Sequence, residues 1–409
     1  MSKVERIELF HVEVPLSKPF YPSWIPGYPQ THNRFTLIKL FSSDGAVGLG
    51  AGNAFTFERQ GLGDLLGGFL LGIEVGDIDA VRQRLREASY LGWRNWWIET
   101  AYWDLWAKER GVPAYKLLGD TDETVTEAKV YASSGEVRDF TRRKPYLDQI
   151  REMGFTAVKI RVHSADEQTD MNIIRQVRRE VGDDFLLAVD ANQGWPVSLI
   201  DKTTIWDLAR AERFGKFCDE MGVAWLEEPL DMHAYREMAE LRTKIDTPIA
   251  GGELHGDVSE LSCMLDYGSL DKYQPDCTFS GPSAARHVMA QCLRRGLDYS
   301  PHTWTNGLGF RINLHCYAAW PKRKLLEYPY EPPGWIPEFR EGVIEPIQVR
   351  PDATVPVPQT PGFGIELDPA RMRRYARRFA VVSPLRLAVK TVREKGLGTA
   401  LDLMKKKQK

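Results

Sequence analysis

Eight short apolar runs, spaced roughly 20 to 40 residues apart and each ending in polar residues, constrain this chain more than any other feature. They are AKVYASS (128–134), AVKIRVH (157–163), FLLAVDAN (185–192), AWLEEPL (224–230), PIAGGE (248–253), KYQPD (272–276), DYSPHTW (298–304) and LLEYPY (325–330). Helical patterns follow several of them, so they read as eight βα units. The economical fold is α/β, a (β/α)8 barrel of the TIM type with its site at the C-terminal strand ends. A chain of 409 residues holds such a barrel and a smaller domain besides.

The smaller unit is expected in residues 1–125, which read as an α+β module. Strand patterns cover Val4–Val14, Phe35–Phe41 and Ala46–Ala51, with a turn at Ser42–Gly45. Helical patterns cover Ile78–Ser89 and Asn95–Arg110, and Gly111 with Pro113 ends the second. Trp96, Trp97, Trp103 and Trp106 on that second helix are expected in the core. FYPSWIPGYPQTHNR (Phe20–Arg34) between the first two strands reads as a long loop, and Trp24, Tyr28 and His32 are its candidates to cover a ligand.

Composition excludes several classes. With 43% hydrophobic and 27% charged residues the chain is not largely disordered. A net charge of −2 leaves no global field for nucleic acid or membrane. No run of about 18 apolar residues marks a membrane span. The start, MSKVERIELFHVEVPL, reads as a strand without the apolar core of a signal peptide. The five cysteines (218, 263, 277, 292, 316) are scattered and free of CxxC spacing, which suits a reducing cytoplasm.

The chemistry gathers at the run ends. Strand alternation puts Lys159, Arg161 and His163 on one side, and Asp190 with Asn192 on one side. Asp190, Glu227 and Glu253 come from three consecutive strands and can converge on one point. Three carboxylates at a buried mouth stay ionised together only with a cation, and all-oxygen ligation suits Mg²⁺, or Mn²⁺. Alternation sends Glu228 to the opposite face. Asp276 and His302 end neighbouring strands, an arrangement in which the acid fixes the imidazole tautomer for acid–base work. Trp304 closes the seventh run, and it and Asn192 are further candidate substrate contacts. Glu327 ends the eighth.

Lys159-x-Arg161, Asp190-Ala-Asn192, Trp225-Leu-Glu227-Glu228-Pro229, Gly252-Glu253, Gln274-Pro275-Asp276, Ser300-Pro301-His302 and Leu326-Glu327 together resemble the enolase superfamily, in its mandelate racemase and muconate lactonizing enzyme branch. The resemblance spans roughly residues 1–370. It implies a capping domain over a modified (β/α)8 barrel, with residues 126–345 as the barrel and 346–409 returning to the cap. It implies Mg²⁺ on Asp190, Glu227 and Glu253, and a His302–Asp276 dyad of the mandelate racemase subgroup. Glu327 resembles the residue that hydrogen-bonds the substrate carboxylate or enolate. Oligomers are implied as well.

The implied chemistry is removal of a proton α to a carboxylate, through an enediolate that cations stabilise. The family pattern is Lys-x-Lys, and here its second position is Arg161, a poor base. A symmetric two-base racemase is therefore disfavoured, and two one-base readings stay open. In one, His302 takes the proton while Lys159 and Arg161 hold the carboxylate. In the other, Lys159, with its pKa lowered by Arg161, takes it and protonated His302 assists loss of hydroxide. Either yields a 2-keto-3-deoxy acid from an acid sugar. The alternatives are a racemase or epimerase of a 2-hydroxy acid, and a catalytically silent carboxylate-binding protein. Two elaborations stand apart: an insertion near residues 198–214, and a basic tail with RMRRYARR (371–378) and KKKQK (405–409) around a helical pattern at 382–404. The tail is expected to pack on the cap or a neighbouring subunit rather than on a membrane.

Overall fold

A computed structural model of the chain describes residues 2–53 and 68–407. Strands β1 (Val4–Phe20), β2 (Gln30–Ser42) and β3 (Val47–Asn53) form an antiparallel meander. Its inward residues, among them Ile7, Leu9, Val12, Leu37 and Leu40, are buried. The helix Glu99–Glu109 packs on β3, and three alternate glycines make that contact close. A Cβ on Gly48 would sit 2.3 Å from the Ala101 carbonyl oxygen, and one on Gly50 would sit 2.2 Å from Thr100 Oγ1. A Cβ on Gly52 would strike the Trp97 ring. Trp96, Trp97 and Trp103 are buried and Trp106 is half-buried, in line with their expected core role.

The eight runs become eight parallel strands. In chain order they are β4 (Glu127–Ser133), β5 (Ala157–Arg161), β6 (Leu186–Asp190), β7 (Leu226–Glu227), β8 (Ile249–Gly251), β9 (Lys272–Tyr273), β10 (Asp298–Tyr299) and β11 (Leu326–Pro329). Their order in the sheet follows the sequence, and β11 returns to pair with β4, from Leu326 opposite Val130 to Pro329 opposite Ser133. β12 (Thr354–Pro356) runs antiparallel along the start of β4, from Lys129 back to Glu127. The barrel floor is made by Tyr131 and Trp225, with Ala157, Ala188 and Ala250 leaving them room.

The C-terminal segment comes back to the first sheet. β13 (Ala376–Val382) pairs antiparallel with β1, placing Ile7 opposite Val382, and gives the sheet order β13-β1-β2-β3. The chain is thus a TIM-type barrel with an α+β cap to which both ends contribute. The strand takes up part of the basic stretch 371–378, and the helix that follows starts only at Pro384. The last two residues of KKKQK lie outside the described residues.

The expected loop Phe20–Arg34 is shorter than its composition suggests. Phe20 pairs with Gln30 and Pro15 with His32, so only residues 21–29 are loop and His32 belongs to a strand. Side-chain composition could not reveal this, because the pairing closes across the turn. The insertion touches that loop: the Asp201 amide donates to the Pro26 carbonyl at 3.3 Å. Gly27 has φ +76°, and a Cβ there would lie 2.4 Å from Asp201 Oδ2.

Candidate active site

The barrel register lines up the charged strand ends. Arg161 stands opposite Asp190, Asp190 opposite Glu227, and Ser133 opposite Lys159. The first wall of the mouth is therefore a layer of ion pairs. Lys159 Nζ bonds Glu227 Oε1, lies 2.8 Å from Glu327 Oε1 and 3.6 Å from Asp190 Oδ2. Arg161 bonds Asp190 through Nη1 and donates through Nε to the Ser134 carbonyl at 2.7 Å. Its Nη2 is buried without a partner.

Burial disfavours the Lys159 ammonium, but Glu227 and Glu327 outweigh it and hold the pKa above the ordinary lysine value. Arg161 opposes them, as the second one-base reading supposes, and is outweighed by Glu227, Glu327 and Asp190 while no cation sits on those carboxylates. Burial raises Glu227 and Glu327, yet Lys159 beside each leaves both below the usual carboxylate range. Glu327 is fixed further by the Ser133 hydroxyl at 2.8 Å and the Thr303 amide at 2.7 Å. Trp225 Nε1 and Gln274 Nε2 both donate to Glu227 Oε2, at 3.0 and 2.9 Å.

The second wall is different. His302 Nδ1 lies 3.0 Å from Asp276 Oδ2, and Nε2 lies 3.3 Å from Glu253 Oε2. Asp276 is held by Thr278 and by Asn313 Nδ2, both on its Oδ1. Burial disfavours the imidazolium, but Glu253, then Glu327 and Asp276, raise the His302 pKa to about 9. Burial raises Glu253, with His302 opposing.

A cavity of about 440 Å³ opens between these walls. Arg161, Glu253 and His302 form its base, and Trp24, Tyr28, His32 and Trp304 line it, as do Trp195 and Trp335. Trp304 stacks on Phe20 and on Trp335 with centroids 5.5 Å apart. Trp24 and Trp304 each lie 5.7 Å from the Arg161 guanidinium, within cation–π range. Lys159 is fully buried and does not reach the cavity lining.

Three expectations need correction. His163 lies past the end of β5, half-buried near Arg210, and does not line the cavity. Asn192 is not turned to the cavity, because its Oδ1 accepts from Ser23 Oγ at 2.5 Å and from Arg161 at 3.4 Å. Glu228 does not point away. β7 ends at Glu227, Glu228 takes φ +45°, and its side chain is buried beside Gly194, where a Cβ would come within 2.3 Å of Oε1. Burial and the carboxylates of Glu253 and Asp190 push Glu228 well above the usual range. Asn192 (φ +46°) and Glu228 both carry left-handed backbone, at roughly 1–2 kcal/mol each. Ser23, Asn313 and Ser133 were not legible as site residues, since no local pattern marks a side chain whose partner is more than 30 residues away.

The carboxylates were expected to converge on one point. Among the described residues no three acid, histidine or cysteine side chains form a metal-holding cluster. Lys159 and Arg161 lie among them and take oxygens of Glu227 and Asp190. The donor chemistry still suits a hard divalent cation. Asp190, Glu227, Glu228, Glu253, Asp276 and Glu327 are all buried, six acids against Lys159, Arg161 and His302 at the mouth and Lys272 by the floor. Glu228 Oε2 is buried without a partner. So much buried negative charge calls for a further cation.

Residues 145–371 match the family described as enolase C-terminal domain-like. The L-talarate/galactarate dehydratase of Salmonella typhimurium is 28% identical over 348 residues, covering 80% of this chain and 81% of that one. The D-galactarolactone cycloisomerase of Agrobacterium fabrum is 30% identical over 284 residues, covering 66% and 70%. A crystal structure of the Salmonella typhimurium dehydratase liganded with Mg and L-lyxarohydroxamate superposes with a TM-score of 0.79 at 25% identity, covering 93% of this chain and 95% of that chain.

Proposed function

The chain belongs to the enolase superfamily, in its mandelate racemase and muconate lactonizing enzyme family, and from that premise we propose that it dehydrates an acid sugar to a 2-keto-3-deoxy acid by removing the proton α to its carboxylate. The observation that carries this reading is the pairing of His302 and Arg161 on one cavity. One offers a nitrogen backed by a carboxylate, and the other offers an unpartnered, buried N–H.

Arg161 Nη2 binds the substrate carboxylate, and Trp24 and Trp304 on its faces keep the guanidinium in place. His302 takes the α-proton at Nε2 while Asp276 holds Nδ1 and returns it to the β-hydroxyl, which leaves as water, and the enol so formed tautomerises to the 2-keto-3-deoxy acid. Glu327 and Lys159 form a fixed ion pair behind the reacting carboxylate. Tyr28, His32 and the tryptophans close the cavity over the hydroxyl-bearing part of the substrate. Asp190, Glu227 and Glu253 are the residues that would hold Mg²⁺, for which Mn²⁺ is the natural substitute. When bound, the metal supplies positive charge that stabilises an enediolate oxygen. Racemisation needs a second base on the opposite face, where Arg161 stands.

The test is a panel of acid sugars and simple 2-hydroxy acids with Mg²⁺, read by α-keto product, with Asp190→Asn as control. A keto product that vanishes in the control is expected. Deuterium entering the α-position without loss of water would replace dehydration by epimerisation.

A further inference from the structure

The cavity over Arg161 and His302 is larger and more aromatic than a bare six-carbon acid needs. At about 440 Å³ it lies within the roughly 300–1,000 Å³ of sites for drug-sized ligands. Its base, where Arg161 and His302 meet, is buried. Its outer wall is apolar, with Tyr28 from the 21–29 loop and Trp195 and Leu199 from the chain after β6. The Asp201 amide ties these two segments together through the Pro26 carbonyl. Leu199 is 61% exposed and Tyr28 39%. A small polar acid held at the base would leave this apolar rim uncovered.

Polar groups decide which ligand the outer wall takes. Trp195 and Trp335 both line the cavity, and the Nε1 of each is buried without a partner. A buried indole N–H ordinarily has an acceptor, so the lining offers two donors besides its ring faces. That pairing matches a sugar ring, which carries hydroxyl acceptors on its edge and C–H groups on its faces. A second carboxylate would find no free counter-charge. Arg161 is taken by the reacting carboxylate. Among the described residues Arg34 is the other arginine of the lining, and it is already tied to Glu13, through Nε at 2.9 Å and Nη2 at 2.8 Å. We propose that the substrate is an acid sugar carrying a neutral sugar ring at its far end, a glycosylated aldonic acid, which rests on the dehydration reading for the end that reacts. The proton leaves C2 and the hydroxyl leaves C3 as water, so the bond to the added ring at O4 stays intact.

Calorimetric titration of the full chain with Mg²⁺ tests this, in the His302→Asn background so that turnover adds no heat. The ligands are aldonic acids of several configurations, their 4-O-glycosyl derivatives and the matching aldaric acids. At least one glycosylated acid is expected to bind about tenfold tighter than its parent, or more, and the aldaric acid no tighter than the parent. Trp195→Ala and Leu199→Ser should bring that ratio to about one, whatever either affinity does alone. No binding by any glycosylated acid, a ratio of one for every pair, an aldaric acid as the tightest ligand, or a ratio that both variants leave unchanged would overturn the proposal. Wild-type protein assayed for α-keto product with the same compounds separates the two readings. Ring-dependent binding without keto product would keep the ring subsite and remove dehydration. Keto product with a ratio of one would do the reverse.

Discussion

The two walls of the barrel mouth hold similar residues and differ in freedom. On the wall from β5 to β7, Lys159 is bound among Glu227, Glu327 and Asp190 and sealed from the cavity, and Arg161 is tied to Asp190 and the Ser134 carbonyl with Nη2 left without a partner. On the wall from β8 to β10, His302 faces the cavity with Asp276 behind it and Glu253 as its one carboxylate neighbour on the open side. A saturated ion-pair layer resists protonation change, because each move strands a buried charge. A histidine at the edge of such a layer strands fewer buried charges when its proton moves. One wall therefore holds charge fixed, and the other can move it.

The comparison breaks most visibly at His302. His302→Asn should lower kcat by roughly 10³-fold, within the range for loss of a general acid–base group, with a much smaller change in KM, as steady-state kinetics would show. Arg161→Lys comes next. The shorter ammonium cannot serve Asp190, Ser134 and the substrate together, so KM should rise about tenfold. Equal losses in kcat and kcat/KM would instead give Arg161 a role in the transition state alone.

Metal-free protein sharpens the comparison through pH. The folded His302 pKa of about 9 is raised above the ordinary value. Its ion-pair stabilisation is fully present below about pH 6.5, and it is lost as pH rises through about 9. The gap in unfolding free energy between wild type and His302→Asn should therefore close over that window, from at most about 3 kcal/mol. A gap that widened with pH would contradict the charge assignment. The smallest effect is expected at Ser23→Ala. That change removes one buried hydrogen bond to Asn192, worth about 1 kcal/mol, and should raise KM severalfold through looser seating of the 21–29 loop.

Much of this was legible in the sequence because it repeats. The eight runs gave the barrel, and the polar residue at each run end gave Lys159, Arg161, Asp190, Glu227, Glu253, Asp276, His302 and Glu327 in order. What escaped is set by contacts distant in the chain. Strand alternation misplaced Glu228, because a left-handed residue follows the end of β7. Asn192 was read as a substrate contact, although Ser23, 169 positions away, occupies its oxygen. Spacing also could not show that Lys159 and Arg161 would occupy the carboxylates expected to hold metal, since that depends on side-chain reach within the mouth.

The division between a fixed wall and a proton-moving wall is tested most directly by α-proton exchange. The substrate found in the panel would be incubated in D₂O with Mg²⁺ and followed by proton NMR, comparing His302→Asn with Lys159→Arg. The second variant keeps the cation but cannot serve as a base. Exchange or turnover that survives in Lys159→Arg within about tenfold and disappears in His302→Asn is the expected result. Loss in Lys159→Arg with persistence in His302→Asn would place the moving proton on the first wall and contradict it.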